Sequence, residues 1–342
     1  MGGNAARMLG LSECNATGIE KVGQGRTELA KLWHIGGYSN VAGTPVNGEM
    51  ELSAPECEHH EVLTNGIRLH VVVAGPPDGR LVILLHGFPE FWYGWRHQIK
   101  YLADCGYRVW APDLRGYNLS AKPHGLDAYN LDILTRDVLG LIDAAGRDRA
   151  FAVGHDWGGA IAWWLAAKYP ERLGRLVVIN CPHGAVLRKH LRTNRTQQRR
   201  SWYMFFFQLP WIPELVVRRA QWRMLTRMMQ GSARPGTFTD SELELYRKAW
   251  SQPGAFTAML IWYRAMFRRP PSPPPRRPIA VPTLLIWGLR DRFLGREMVK
   301  PSIDLTADGR VALIEEATHW VHHEEPLKVN ALIADFLGEE FK

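Results

Sequence analysis

The feature that most constrains this chain is a glycine-flanked turn, Gly154-His155-Asp156-Trp157-Gly158-Gly159. The apolar run Arg149–Val153 before the turn predicts a buried strand, and the run Ala160–Lys168 after it predicts a helix. A strand, a sharp turn and a helix in this order are typical of a nucleophile elbow. The central residue of such a turn has a strained backbone, and its close neighbours must be glycine. The pattern therefore predicts that Asp156 is a nucleophile on an α/β sheet.

The aspartate at the centre of this turn decides which chemistry is available. A carboxylate is ionised at neutral pH without help, so Asp156 can attack carbon directly and form an ester. Serine-type acyl transfer instead needs a base that first removes the proton of the nucleophile. The residue type therefore argues against an ordinary serine esterase.

Short apolar runs alternate with helix-forming runs along most of the chain. Predicted strands are Glu61–Leu63 and Ile67–Val73, joined as a hairpin by Asn65-Gly66, then Leu81–Leu85, Arg108–Ala111, Ala150–Val153, Leu176–Ile179, Thr283–Trp287 and Val311–Ile314. Predicted helices lie near Tyr93–Ala103, Leu131–Ala145, Ala160–Lys168 and Pro326–Leu337. This alternation predicts an α/β fold with a mostly parallel, doubly wound sheet.

The alternation divides the chain into four segments. Residues 1–58 carry little pattern beyond one helical candidate, Thr27–His34, and we expect a weakly structured N-terminal extension. The core is predicted in two parts, residues 59–182 and 279–342. Residues 183–278 between them are helical, aromatic and basic, and they end in a Pro/Arg-rich run that should be an extended linker. An insertion between two strands predicts a helical lid over the carboxyl ends of the strands, where α/β ligand sites lie.

The positive charge of the chain is concentrated in the predicted lid. Between Gly184 and Arg277 there are 18 Lys and Arg against four acids, which leaves the remainder of a +8 chain net negative. One interpretation is a solvated helical surface, and the other is peripheral contact with an anionic membrane, because Trp and Phe interleave with Arg. No nucleic-acid-binding motif accompanies the charge, so nucleic acid is not an expected partner.

The sequence predicts a cytoplasmic protein, and it leaves the oligomeric state open. No signal peptide and no apolar run long enough for a membrane span are found. The four cysteines, Cys14, Cys57, Cys105 and Cys181, show no paired spacing that would indicate a disulfide framework or a metal site.

A second turn, His86-Gly87-Phe88-Pro89, directly follows the third predicted strand. A His-Gly turn at this place lets the backbone N–H of Phe88 point into the site, with His86, Gly87 and Pro89 as the supporting loop. Together with the backbone N–H of Trp157, it would form an oxyanion hole. Such a hole stabilises the tetrahedral intermediate when an ester is hydrolysed.

A base and an orienting acid are expected after the nucleophile, in the order acid and then histidine. Asp291 follows the predicted strand Thr283–Trp287, and His319 follows Val311–Ile314 in the last loop before the final helix. Both side chains should therefore lie at the edge of the sheet that carries Asp156.

Several rival positions are less suitable. His322 and His323 lie nearer the start of the final helix, and we expect them to be solvated. Asn180 occupies the alternative acid position, but an amide cannot carry the charge. Asp304 and Asp308 fall in a later helix or turn and are expected to be structural.

The chain resembles the α/β-hydrolase-fold epoxide hydrolases from about residue 60 to its C-terminus. The similarity is carried by His86–Trp92, Asp113–Tyr117, Gly154–Gly159 and Thr318–Trp320. In that family two lid tyrosines bind the epoxide oxygen. Residues 1–58 and the Pro/Arg-rich linker have no counterpart in this resemblance.

The predicted lid holds three tyrosines. Tyr203 lies in Ser201–Gln208, which resembles the first tyrosine segment of the family, and Tyr263 lies in Ile261–Arg264, which resembles the second. Tyr246 matches neither segment and is expected to pack. The resemblance therefore implies that Tyr203 and Tyr263 are the two epoxide-binding tyrosines.

The resemblance implies a complete mechanism. Asp156 attacks an epoxide carbon while Tyr203 and Tyr263 donate to its oxygen, which gives a hydroxyalkyl ester. Water activated by His319, with Asp291 as the orienting acid, then hydrolyses the ester to a vicinal diol. The expected substrates are a small hydrophobic epoxide and water, and no cofactor or metal is required.

Two other functions stay open at this point. A haloalkane or haloacid dehalogenase uses the same triad, although haloalkane dehalogenases tend to have Asn where this chain has Phe88. Fluoroacetate dehalogenases tend to have Arg where this chain has Trp157. A non-catalytic relative that binds a small molecule is the other alternative, and the complete set of catalytic residue types argues against it.

Overall fold

A computed structural model of the chain describes residues 20–21, 57–274 and 277–339. Most of the predicted N-terminal extension, including the helical candidate Thr27–His34, lies outside the described residues. Pro275 and Arg276 of the predicted linker also lie outside them. Residues 270–274, in the proline-rich run, belong to no helix or strand.

A single sheet of nine strands organises the described residues, in the order β1-β9-β8-β7-β6-β4-β5-β3-β2. The strands are β1 (Glu20–Lys21), β2 (Glu58–Thr64), β3 (Ile67–Ala74), β4 (Leu81–Leu85), β5 (Arg108–Pro112), β6 (Ala150–His155), β7 (Leu173–Ile179), β8 (Thr283–Gly288) and β9 (Gly309–Ile314). Strands β4 to β9 pair in parallel, whereas β1, β2 and β3 pair antiparallel with their neighbours. The predicted mostly parallel α/β sheet is confirmed.

Thirteen α-helices accompany this sheet in the described part of the chain. They are α1 (Arg96–Asp104), α2 (Leu131–Ala144), α3 (Trp157–Lys168), α4 (Gly184–Thr193), α5 (Arg195–Arg200), α6 (Trp202–Phe206), α7 (Ile212–Arg219), α8 (Arg223–Ser232), α9 (Asp240–Ser251), α10 (Ala255–Arg268), α11 (Val299–Ile303), α12 (Val321–Glu324) and α13 (Pro326–Gly338). Short 3-10 helices cover Trp92–Trp95, Asp127–Tyr129, Pro170–Arg172 and Arg296–Met298. None of the helices in these described ranges is both long and apolar enough to span a membrane.

The parallel strands are apolar because helices cover both faces of the sheet. Alternate residues of a strand point to opposite faces, so Val82 and Leu84 pack in one core with Ile99 of α1 and Ile333 of α13. Leu81, Ile83 and Leu85 pack in the other core, which includes α2 and α3. Helix α3 is buried along most of its length, so Asp156 at its start is held by a rigid support.

The predicted boundaries differ from the observed ones where side-chain hydrophobicity does not decide the structure. Strand β2 begins at Glu58, three residues before the predicted start, because its exposed polar residues are held by backbone pairing with β3. The predicted helix Tyr93–Ala103 is a 3-10 turn over Trp92–Trp95 followed by α1.

Helices α4 to α10 lie between β7 and β8 and are fastened to the core by tryptophan hydrogen bonds. The indole of Trp250 in α9 donates to the carbonyl of Pro89 at 2.6 Å. The indole of Trp262 in α10 donates to the carbonyl of Arg115 at 3.0 Å. Both acceptors belong to loops that follow strands, so the inserted helices are fixed above the carboxyl ends of the sheet.

Candidate active site

Asp156 lies at the turn between β6 and α3 with an unusual backbone, φ 49° and ψ −118°. A side chain on Gly158 would put its Cβ 1.9 Å from the carbonyl oxygen of Leu85. A Cβ on Gly87 would lie 2.5 Å from the Cβ of Asp156. The turn therefore requires these glycines, and the strain projects the carboxylate away from the sheet edge.

The carboxylate of Asp156 has one oxygen held by a backbone donor. The N–H of Phe88 donates to its Oδ1 at 3.0 Å. Trp157 is the first residue of α3, so its N–H lies at the positive end of a helix dipole directly after Asp156. One carboxylate oxygen thus accepts from the N–H of Phe88, which is one of the two donors that the sequence predicts for an oxyanion hole.

His86 shapes the loop that presents the N–H of Phe88. Its Nε2 accepts a hydrogen bond from the N–H of Leu114 at 3.0 Å, and its Nδ1 lies 3.0 Å from the carbonyl of Gly87. Burial lowers the pKa of the His86 imidazole. A neutral ring with one donor and one acceptor fits both contacts, so His86 holds the turn in place.

The structure brings His319 between two carboxylates. Its Nδ1 lies 2.8 Å from Oδ2 of Asp291, and its Nε2 lies 3.7 Å from Oδ2 of Asp156. The other oxygen of Asp291 accepts from the backbone N–H groups of Phe293 and Leu294 at 2.7 and 2.9 Å. Asp291 is therefore fixed, and it orients the His319 ring with Nε2 towards Asp156.

Asn180, which the sequence analysis rejected as the orienting acid because it is an amide, contacts Asp291 in the structure. Its side-chain amide donates to Oδ2 of Asp291 at 2.8 Å, and its Oδ1 accepts from the N–H of Gly288 at 2.9 Å. The amide thus supports the acid from the neighbouring strand β7. Its place directly after a strand was the available signal, but only the fold shows that it contacts Asp291.

The charges around His319 change how readily it loses a proton. Burial lowers the pKa of this imidazole, but the adjacent Asp291, followed by Asp156 and Glu90, outweighs burial and raises the pKa to about 9. Burial would raise the pKa of Asp291, and the facing His319 lowers it overall. In the free protein at neutral pH, His319 is therefore a cation between carboxylates.

The two tyrosines singled out in the lid lie next to each other. The rings of Tyr203 and Tyr263 are 5.9 Å apart, and Tyr263 also packs against Phe88 and Trp157 at 5.2 Å each. Burial raises the pKa of both hydroxyls well above the usual range, and the Asp156 carboxylate adds to the effect. Both tyrosines therefore stay protonated at neutral pH and can donate.

Tyr246 has a different partner. Its hydroxyl donates to Oε1 of Glu90 at 3.0 Å, and its ring packs against Phe91. Tyr246 is fully buried, as expected for a residue that packs, and its hydroxyl also supplies a hydrogen bond to the buried carboxylate of Glu90.

A cavity of about 550 Å³ reaches Asp156 from the lid. Its walls are mainly apolar and aromatic, and they include Trp157, Tyr263 and Met266. Tyr203 is not among the residues that line this cavity, but Met204 and Phe205, which follow it in the chain, and its ring partner Tyr263 are. The cavity is large enough for a small apolar molecule to contact the carboxylate.

The expectation that His322 and His323 are solvated is wrong, because both are buried. Short helix α12 packs inside the core, where Glu90 supplies the polar partner that a buried histidine needs. Nε2 of His323 lies 2.6 Å from Oε1 of Glu90, and Nε2 of His322 lies 3.5 Å from its Oε2. Neither ring is in hydrogen-bond contact with Asp156 within the described residues.

Glu90 also connects this histidine cluster to the loop that carries His319. Nδ1 of His155 lies 3.1 Å from Oε2 of Glu90, and its Nε2 lies 2.9 Å from the backbone carbonyl of His319. Burial would raise the pKa of Glu90, but His323, His322 and His155 hold it well below its usual range. The loop that carries His319 is therefore tied to a buried carboxylate.

The ligand atoms of Glu90, His322 and His323 lie within 4.8 Å of one another, a spacing that a metal ion could use. The guanidinium of Arg96, however, donates to Nδ1 of His323 at 2.9 Å. The ring proton is then on Nε2, which donates to Glu90 and has no lone pair for a metal. The geometry fits a hydrogen-bonded cluster better than a metal site.

Comparison with known proteins gives consistent matches to this architecture. The family described as alpha/beta hydrolase fold matches residues 80–326. A protein of Bacillus subtilis named AB hydrolase superfamily protein YfhM is 48% identical over 279 residues, which cover 82% of this chain and 97% of that protein.

Epoxide hydrolases also match over most of their length. The mouse protein named epoxide hydrolase 4 is 39% identical, with 91% of this chain and 89% of that protein covered. The crystal structure of a Bacillus megaterium epoxide hydrolase in complex with an inhibitor superposes with a TM-score of 0.76 at 32% identity. That match covers 82% of this chain and all of the other.

Proposed function

The chain belongs to the epoxide hydrolase family of the α/β-hydrolase fold and hydrolyses epoxides, and we propose that it does so through an ester on Asp156. The observation that carries this proposal is the position of one histidine between two carboxylates at the end of an apolar cavity. A small hydrophobic epoxide and water are the substrates, and no cofactor takes part.

In the first step the free oxygen of Asp156 attacks an epoxide carbon. Oδ1 is occupied by the N–H of Phe88, so Oδ2 is the attacking atom. The C–O bond of the epoxide breaks as the ester bond forms, and the leaving alkoxide takes a proton from Tyr263 or Tyr203. Donation of this kind contributes roughly 10²–10⁴-fold to a rate.

In the second step the loss of charge on Asp156 activates the base. Esterification removes one of the carboxylates that keep His319 protonated, so the pKa of the imidazole falls. The tyrosinate left by the first step takes up the proton that the imidazole then releases, and neutral His319 removes a proton from the water that attacks Cγ of Asp156. The developing charge falls on Oδ1, which already accepts from the N–H of Phe88, and the N–H of Trp157 at the start of α3 would be the second donor. The tetrahedral intermediate collapses with cleavage of its Cγ–Oδ2 bond, and the leaving oxygen takes the proton of the new hydroxyl on Cγ. The diol thus departs with the former Oδ2, and the Asp156 carboxylate is restored.

The lid formed within residues 183–278 would cover this reaction. Its helices α9 and α10 bring Tyr246 and Tyr263 onto the core, and Tyr263 and Met266 form part of the cavity wall. Excluding water from the cavity strengthens hydrogen bonds to the epoxide oxygen.

Isotope labelling in a single turnover tests the ester. In heavy-oxygen water with excess enzyme, the diol should carry little label and Asp156 should gain it, because water attacks Cγ. Label that appears directly in the diol would mean that water opens the epoxide and that the ester mechanism is wrong.

Substitution of the base separates the two steps. His319→Gln should accumulate an ester adduct visible in the intact mass, whereas Asp156→Ala should form neither adduct nor diol. His322→Gln and His323→Gln are controls, since their rings contact Glu90 rather than Asp156. An adduct that accumulates in either control and not in His319→Gln would reassign the base.

The dehalogenase alternative uses the same Asp-His-Asp residues. Tyr263 packs on Trp157 next to the nucleophile, Tyr203 packs on Tyr263, and both hydroxyls stay protonated, which suits an alkoxide that needs a proton better than a halide. Release of halide from haloalkanes or haloacetates, without diol from epoxides, would favour the dehalogenase.

A further inference from the structure

The lid exposes an unusual number of large apolar side chains. Six of them, each 42–68% exposed, define the lid apolar patch: Trp202, Phe205, Leu209, Trp211, Leu215 and Phe267. Single exposed apolar residues are normal on a protein surface. A cluster of aromatic and leucine side chains within one stretch of a lid is a mark of an interaction surface.

Contacts between the lid helices hold together the segments that carry the patch. Arg264 of α10 donates to the carbonyl of Leu209 at 2.7 Å and forms an ion pair with Glu214 of α7, also at 2.7 Å. The rings of Phe205 and Phe267 lie 5.7 Å apart. The ends of α6 and α10 and the start of α7 are therefore fixed as one surface.

Helix α7 presents an amphipathic face outwards. Pro213 and Val217 are buried against the lid, whereas Trp211 and Leu215 are exposed one helical turn apart. Arg219 follows one turn further on the same face and is also exposed. An exposed apolar stripe that ends in arginine is typical of helices that lie at a membrane interface.

The charge around the patch is positive. Arg218, Arg219 and Arg268 are exposed and form no ion pair with a carboxylate of the described residues. The acid of α7, Glu214, is neutralised by Arg264. The patch therefore combines apolar side chains with free cations, which matches the apolar interior and anionic headgroups of a phospholipid surface.

The patch also adjoins the entrance of the cavity. Phe205 and Phe267 belong to the patch and line the cavity that reaches Asp156. Two exposed arginines, Arg192 and Arg269, line the same cavity. A partner that covered the patch would therefore lie against the entrance of the cavity that leads to Asp156.

We propose that the lid apolar patch docks on an anionic phospholipid surface, so that the cavity entrance faces the bilayer. A second copy of the chain is a poorer occupant, because a symmetric contact would bring the same arginines together. Delivery of apolar epoxides from the bilayer follows if the proposed function holds, whereas docking itself does not depend on catalysis.

Vesicle flotation of the full chain without substrate tests the docking. The protein should float with vesicles of phosphatidylcholine and phosphatidylserine, and much less with phosphatidylcholine alone. Arg218→Gln and Arg219→Gln should each weaken partitioning about fivefold, from about 1 kcal/mol per cation at an anionic surface. Trp211→Ser with Leu215→Ser should lose at least as much.

Leu63→Ser and Leu327→Ser are the matched controls, because these leucines are 73% and 79% exposed but lie outside the lid. They should float like the wild type. Hydrolysis of a water-soluble epoxide without vesicles should be unchanged in all variants, which shows that they are folded.

Equal flotation with neutral and anionic vesicles, no flotation of the wild type, or equal losses in the controls would overturn the proposal. Sedimentation velocity would also overturn it if the wild type self-associates and Trp211→Ser abolishes the association. Docking without diol from any epoxide would instead contradict the proposed function and leave the docking intact.

Discussion

Replacing Asp156 by asparagine should lower the pKa of His319 while keeping the shape of the site. Nε2 of His319 lies 3.7 Å from Oδ2 of Asp156. Two unit charges at that distance interact by about 4–5 kcal/mol at an effective dielectric constant of about 20. Since about 1.4 kcal/mol corresponds to one pKa unit, the His319 pKa should fall by roughly three units from its value of about 9.

Nuclear magnetic resonance of ring-labelled histidines measures this change directly. The chain has 13 histidines, so the signal of His319 is assigned as the one that disappears in His319→Gln. Asp104→Asn is the matched control, because it removes an exposed carboxylate paired with Lys100 and far from the site in sequence. Intact mass after the titration verifies that residue 156 is still asparagine.

A His319 pKa that stays near 9 in Asp156→Asn would refute the reasoning. The charge of Asp156 would then not control the base, and ester formation could not switch His319 from a cation to a base. A fall of the same size in the Asp104→Asn control would point to a general effect of net charge instead.

The other predictions concern the tyrosines, the support of the acid and the pH dependence of stability. Tyr263→Phe combined with Tyr203→Phe should slow the pre-steady-state alkylation by roughly 10²–10⁴-fold. Tyr246→Phe should leave that rate unchanged but lower the free energy of unfolding by roughly 1–3 kcal/mol, because Glu90 loses a donor. Asn180→Ala should slow decay of the ester more than its formation, by up to about 100-fold, as the loss of a hydrogen bond to a charged group implies; slowing of alkylation alone would contradict this. The raised pKa of His319 stabilises the fold fully below pH 6.5, and that stability is lost as pH rises through about 9. Urea unfolding should therefore show that the free energy of unfolding of the wild type falls relative to that of His319→Gln over this pH range, by no more than about 3 kcal/mol. A rise in that difference with pH would contradict the raised pKa of His319.

Much of the core could be predicted because short-range patterns determine it. Buried parallel strands must be apolar on both faces, so a run such as Leu81–Leu85 identifies β4 with its observed bounds. The glycines of the elbow are required because a side chain there would collide with backbone a few residues away or on the neighbouring strand. These collisions follow from the turn itself, so the motif alone predicts them. The order of Asp156, Asp291 and His319 along the chain follows from the order of the strands.

The cluster around Glu90 could not be predicted in the same way. His322 and His323 have polar side chains in a helix of four residues, and that pattern suggests exposure. Their burial depends on a carboxylate more than 200 positions earlier in the chain. The role of Asn180 was hidden for the same reason, since its partner Asp291 is brought to it only by the pairing of β7 with β8.

The two ends of the inserted helices leave from and return to neighbouring strands. Leu176 and Ile179 of β7 pair with Thr283 and Ile286 of β8, although the inserted helices separate the two strands in the sequence. The inserted helices therefore leave the pairing and the register of β7 and β8 intact. A chimera that exchanges these helices can therefore keep the sheet, provided that it preserves docking contacts such as the indole of Trp250 on Pro89 and the two tyrosines proposed to donate to the epoxide oxygen.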